Sequence, residues 1–313
     1  EYGIAQISYN LTNINISPLH EVFDKTCERA IARGMRVTGS EIIGLVPKKV
    51  LIDAGKHFLK KQKRSIGIKE SEIIKIAIKT LGLDELSPFN PEERVIEYIL
   101  DNNTSRPLVN MTLNDFSNET ASESPAPGGG SIAAYCGALG VSLGTMVANL
   151  SSHKRGWDDR WEEFSEWAEK GMSYQNTLME LVDEDTNAFN KIMDSFRLPN
   201  NTEEDKIKRK EAIQNATKNA ILTPFKVMET SYNSMEVMKA MVEIGNPNSV
   251  TDAGVGILCA RAAVLGAFLN VKINCNDYDD KIFVEEILNK GEKLVKETCL
   301  IEEEIIKMTN SKI

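Results

Sequence analysis

The sequence predicts two architectures in series: a partial, ferredoxin-like α+β unit over residues 1–101, then an all-α helical bundle over residues 112–313. Three observations predict them. Strand-like and helix-like runs alternate through the first hundred residues or so. Beyond residue 112 every long apolar pattern has helical spacing. Within the bundle, the run from Ile132 to Leu150 carries no charge and is dominated by Gly, Ala and Ser.

In chain order, residues 3–12 (GIAQISYNLT) alternate apolar and polar side chains, the pattern of a half-buried strand. Ser17-Pro18 opens a helix that runs to about Arg33, where Gly34 ends it. Val37–Val46 is a second strand-like run, and Pro47 starts a helix containing VLIDAGKHFLKK. Helices near Glu70–Leu81 and Pro91–Leu100 follow. The order is that of a ferredoxin-like unit lacking its first strand. The chain begins with Glu1 and enters directly into a strand-like run, as expected of the C-terminal part of a longer polypeptide. Residues 102–111, polar and broken by Pro107, read as the linker.

The bundle is organised around Ser124–Ser151. Pro125 and Pro127 cannot extend a preceding helix, and Gly128, Gly129 and Gly130 free the backbone for a turn. Ser131 then reads as an N-cap whose hydroxyl accepts a first-turn N–H. The uncharged run is long enough for a membrane span, but its small residues suit a buried central helix on which others pack closely. A glycine turn opening a helix presents N–H groups and a positive dipole end to an acceptor or anion. GGGS is equally the composition of a flexible linker. Further on, a helical pattern covers Trp161–Phe196. Thr202 with Asp205 forms a capping box with Asp in place of Glu, and the helix it opens reaches Gly245 with Pro224 as a kink point. A second Gly/Ala-rich helix spans about Asp252–Val271, and a charged amphipathic helix runs from Lys281.

A net charge of −9 argues against a nucleic-acid partner. The five cysteines show no CxxC or Cys/His spacing and read as small core residues in a reducing compartment, hence a cytoplasmic protein. His20, His57 and His153 are too widely spaced for a metal pattern. One carboxylate stands out by helical phase. In the 161–196 helix, Asp185 lies in the apolar stripe with Leu181 and Phe189 one turn away, whereas Asp183 and Glu184 project about 200° and 100° from it. A carboxylate on a core-facing stripe titrates high and is a candidate general acid or base; a structural role, capping another helix or pairing with Arg261 or a lysine, is the alternative. Asp252 reads either as an N-cap or as a site residue. Lys154-Arg155 and the 206–210 basic run either attract an anionic substrate or form solvated faces.

APGGGS at 126–131, LVDEDTNAF at 181–189, RLPNNTEE at 197–204, GNPNSVTDAGVG at 245–256 and GAFLNVKIN at 266–274 together resemble the formimidoyltetrahydrofolate cyclodeaminase and methenyltetrahydrofolate cyclohydrolase family. Residues 4–100 resemble the C-terminal subdomain of glutamate formimidoyltransferase, in the order found in bifunctional transferase–cyclodeaminases. The resemblance implies that Asp185, the second aspartate of LVDxD, is the cyclodeaminase carboxylate. It also implies a folate substrate, with or without a polyglutamate tail, bound at a dimer interface by Gly128–Ser131 and the Asn246/Asp252 turn. With Lys154 of the basic cluster added to that site, the expectation is a homodimer or higher homo-oligomer that needs no metal or cofactor and meets no membrane. Thr251 stands where Ser is commoner. No residue matches the catalytic histidine of the transferase, so formimino transfer is not expected of this chain.

Overall fold

The computed structural model describes residues 5–101 and 106–313. The chain separates into two compact units, Glu1–Ser105 and Arg106–Ile313.

The first unit holds α1 (Leu19–Ile31), α2 (Lys48–Lys61), α3 (Glu70–Leu81), α4 (Pro91–Arg94) and α5 (Ile96–Asp101). α3 carries Glu70 and Glu72 in its first turn and ends at Gly82, whose φ of +63° is the left-handed C-cap that glycine adopts most easily. Leu51, Ala54 and Phe58 of α2 pack with Ile74, Ala77 and Leu81 of α3 to form the core.

The ferredoxin-like sheet is not found: among the described residues there are no strands. Residues 5–10 take no regular secondary structure; Ile7 and Tyr9 are 65% and 51% exposed, and Tyr9 instead hydrogen-bonds Thr26 of α1 at 2.9 Å. Residues 3 and 4 of the expected first strand lie outside the described residues. An alternating pattern makes a strand only where a neighbouring strand completes the ladder. The second expected strand makes one isolated bridge, Val46 to Val95. That bridge also divides the helix expected at 91–100, because Val95 turns extended and the Val46 carbonyl takes the Ile96 N–H.

The second unit contains α6 (Leu113–Thr120), α7 (Gly129–Ser152), α8 (Trp161–Phe196), α9 (Glu203–Ile244), α10 (Val250–Cys275) and α11 (Lys281–Asn310). The short α6, which the apolar pattern did not mark, is capped by Thr112 accepting the Asp115 N–H. Thr202 and Asp205 form the reciprocal capping box of α9, each side chain accepting the other's backbone N–H at 3.1 Å. α9 continues through Pro224.

α7 is the central helix. Its small residues let three neighbours approach closely: Gly137 and Gly144 face α9 at Ser231 and Met238, Gly140 meets the α10 backbone at Gly256, and Thr145 meets Gly171 of α8. Position matching sets the directions. Gly129 lies by Asn270, Ala133 by Gly266 and Gly140 by Gly256, so α7 and α10 run antiparallel. α7 and α10 are long and apolar enough to cross a membrane by length and composition. Here Ala134, Ala138, Val141 and Ala148 of α7 are buried among α8, α9 and α10.

Candidate active site

The α7 N-terminus is built differently from the expectation. The N-cap is Gly128, not Ser131, and no side chain of its own loop caps it. Glycine takes the extended cap conformation without bulk, so the helix starts earlier and Ser131 lies inside its first turn. The cap is supplied across the bundle by Asp185 of α8, whose Oδ2 accepts the Ser131 N–H at 2.9 Å. The Ser131 hydroxyl donates to the Val182 carbonyl at 2.8 Å and stands 3.2 Å from the same Oδ2. Thr186 Oγ1 lies 3.4 Å from that hydroxyl.

This contact depends on Gly130. A β-carbon at residue 130 would overlap Asp185 Oδ1 and stand 2.6 Å from Oδ2. Burial pushes the Asp185 carboxyl above its ordinary range, and the two Ser131 hydrogen bonds pull it partly back. The result is a half-buried carboxylate held at the positive end of a helix, with raised proton affinity: a group suited to taking and returning a proton.

Helical phase located Asp185 but misjudged its neighbours. Phe189 and Met193, further along the same stripe, are 44% and 41% exposed, so the carboxylate sits where the stripe leaves the core. Asp183 is not a solvated neighbour. It is buried, its carboxylate accepting the N–H groups of Leu108 at 2.9 Å and Val109 at 3.3 Å. The segment read as linker therefore reaches into the bundle at Leu108; residues 102–105 of it lie outside the described residues.

The remaining expected site residues stand at the other end of the bundle. The Asn246 N–H donates to Ser151 near the C-terminus of α7, roughly 30 Å along the helix from Ser131 at 1.5 Å per residue. Asn246 caps the short turn before α10 by accepting the Asn248 N–H. Asp252 is not an N-cap: α10 begins at Val250 after Ser249, which leaves Asp252 half-buried within the first turn. Lys154 follows α7 and holds its ammonium 4.1 Å from the Trp157 ring centre. One chain thus gathers Gly128–Ser131 with Asp185, and separately Lys154, Asn246 and Asp252.

Sequence reasoning gave no role to Asn270. It packs against Gly129, where a β-carbon would lie 3.3 Å from Nδ2, and donates that nitrogen to the Gly266 carbonyl at 3.0 Å. Arg261 pairs with Glu302 of α11 at 3.5 Å, not with Asp185. Lys206, Lys208 and Lys210 pair with Glu203, Glu204 and Asp279. His57 pairs with Asp24 in the first unit at 2.7 Å. Among the described residues, no group of three or more His, Cys, Asp or Glu is arranged to hold a metal ion.

The family model for formiminotransferase-cyclodeaminase matches residues 112–293, the span that contains this site. The chain belongs to that family. A formiminotransferase domain model matches residues 1–101. The formimidoyltransferase-cyclodeaminase of Gallus gallus is 36% identical over 95% of this chain and 55% of its own length, so the chain spans about half of that relative. A methenyltetrahydrofolate cyclohydrolase of Methylorubrum extorquens is 35% identical over 65% of this chain and 98% of its own length. The crystal structure of formiminotetrahydrofolate cyclodeaminase from Thermotoga maritima superposes with a TM-score of 0.54 at 25% identity, covering 65% of this chain and 96% of that one. The helical fold of the second unit is thus cyclodeaminase-like.

Proposed function

We propose that the chain is a formimidoyltetrahydrofolate cyclodeaminase, converting 5-formimidoyltetrahydrofolate to 5,10-methenyltetrahydrofolate and ammonia in the cytoplasm. The observation that carries this is the Asp185 carboxylate, desolvated yet held by Ser131 at the α7 N-terminus. N10 of the folate attacks the carbon of the protonated formimino group (an amidinium), forming the new C–N bond as the C=N electrons move onto the exocyclic nitrogen, which becomes a neutral amine. Asp185 accepts the N10 proton and returns it to the exocyclic amine. Ammonia then departs, and the N5 lone pair completes the methenyl cation. One carboxyl with raised proton affinity serves both transfers.

The separation of the two residue clusters supports a site shared between two chains. Leu139 and Leu150 of α7 and Val255, Leu258, Leu269 and Ile273 of α10 are between 45% and 61% exposed, an apolar surface running the length of the antiparallel pair. A self-complementary contact on such a surface, about a two-fold axis across the helices, carries the Asn246–Asp252 end of one copy toward Asp185 of the other. In this arrangement Gly128–Ser131 and Asp185 from one copy, with Lys154, Asn246 and Asp252 from its partner, surround the folate. Residues 1–101 then form the transferase-derived unit and residues 112–313 the cyclodeaminase unit.

A cyclohydrolase on the same scaffold is the second reading, favoured by the Methylorubrum relative, which corresponds to the second unit almost alone. Incubating the purified chain with 5-formimidoyl- and with 5,10-methenyltetrahydrofolate, and following methenyl absorbance, tests both. Methenyl formation with release of ammonia is expected. Turnover of the methenyl substrate alone would favour the second reading, and turnover of neither would leave an assembly role for the small-residue helices.

A further inference from the structure

Asn270 borders the same first turn of α7 as the proposed proton-transfer group, yet has no structural task that uses its whole side chain. It is half-buried on α10, against Gly129, while Asp185 lies against Gly130. Two polar heads from different helices thus flank adjacent residues of one helical turn. The Asn270 amide is oriented by a single bond, Nδ2 to the Gly266 carbonyl one turn back. That bond leaves Oδ1 as an acceptor with no partner among the described residues.

We infer that Asn270 positions the leaving amine, its Oδ1 accepting an N–H from the exocyclic nitrogen of the formimidoyl group; this rests on the cyclodeaminase function proposed above. The chemistry favours an acceptor there. A formimidoyl group on N5 is an amidine, which near neutral pH is an amidinium with two N–H bonds on its exocyclic nitrogen. That nitrogen keeps N–H donors as amidinium, as the amine of the tetrahedral adduct and as ammonia. A neutral amide oxygen accepts from it at every stage. It neither competes for the shuttled proton nor raises the local negative charge beside Asp185. Holding one N–H on Asn270 turns the nitrogen lone pair toward the protonated Asp185, the orientation that proton return requires. The Gly129 position matters for the same reason, since a side chain there would crowd the amide.

The methenyl substrate carries no exocyclic nitrogen. Asn270 is therefore a specificity-determining residue for deamination, and its loss has an asymmetric signature. In Asn270→Ala, kcat/KM for cyclodeamination is expected to fall about ten- to hundredfold, the worth of one hydrogen bond to a charged group. Hydrolysis of the methenyl substrate should fall distinctly less. Calorimetric binding gives a readout free of turnover. In the Asp185→Asn background, 5-formimidoyltetrahydrofolate should bind more tightly than 5-methyltetrahydrofolate, and Asn270→Ala should erase that preference with the thermal melt unchanged. Equal losses toward both reactions, or an intact binding preference in Asn270→Ala, would overturn the assignment while leaving the cyclodeaminase reading standing. A wild-type chain that makes no methenyl product would end both.

Discussion

Asp185 rests directly on the Cα face of Gly130, so that no β-carbon can stand at residue 130 while the carboxylate keeps its bond to the Ser131 N–H. Gly130→Ala tests what this contact does. Alanine raises helix propensity by roughly 1 kcal/mol over glycine, so α7 itself should not melt. The methyl group must displace the carboxylate, and a misplacement of about 1 Å can cost on the order of 10²-fold in rate. Steady-state assays and circular dichroism should show kcat/KM falling by about that factor with helix content retained. Full activity in Gly130→Ala would show that the carboxylate position is not needed.

Much of the second unit is legible because its helices announce themselves. Thr202 and Asp205 mark the start of α9, and Trp161–Phe196 is one unbroken 3.6-residue pattern. Asp185 is legible for the same reason: a carboxylate on an apolar stripe violates the local rule. What the sequence hides is long-range. Asp183 lies off the stripe, and only folding shows that the 106–111 segment, 75 positions earlier in the chain at Leu108, covers it. Asn246 and Asp252 have the look of site residues, but the antiparallel direction of α7 and α10 places them at the far end. Residues 5–10 alternate like a strand, but among the described residues there is no strand to pair with them.

Asp183 and Asp185 should therefore fail in opposite ways. Asp183→Ala leaves the Leu108 and Val109 N–H groups without their acceptor, at a cost of about 1–3 kcal/mol for unsatisfied buried donors. Denaturant unfolding should show that loss, while the remaining folded protein turns over normally. A large fall in kcat with unchanged stability would mean that Asp183 also acts in the reaction.

Ser131→Ala should move the pH profile. The Ser131 bonds favour the charged carboxylate, whereas burial disfavours it. Removing the hydroxyl leaves burial less opposed, so the Asp185 proton affinity rises further. The base must be ionised in the free enzyme, so the acid limb of kcat/KM against pH should shift to higher pH. An unmoved or lowered limb would show that the limb reports another group. Stability has the matching sign: because the folded carboxyl holds its proton more tightly than the unfolded one, its contribution is present at low pH and is lost as pH rises through the folded value.

The shared-site arrangement predicts that assembly and activity are lost together. Leu258→Glu puts a charge on the exposed α10 stripe, which a folded single chain tolerates and a packed interface does not. Light scattering should report a monomer, and methenyl formation should fall in parallel. A monomer with full activity would place the whole site within one chain.

The most direct measurement is methenyl absorbance during turnover of 5-formimidoyltetrahydrofolate by the wild type and by Asp185→Asn, with thermal melts of both. Asparagine keeps the size of the side chain and an oxygen acceptor for the Ser131 N–H, but it cannot take up and return a proton. A fall in kcat of about 10²–10⁴-fold is expected, the usual worth of general acid–base catalysis. The melting temperature should be unchanged or higher, because a buried charge is relieved. Near-wild-type turnover by folded Asp185→Asn would contradict the role of Asp185 and with it the mechanism.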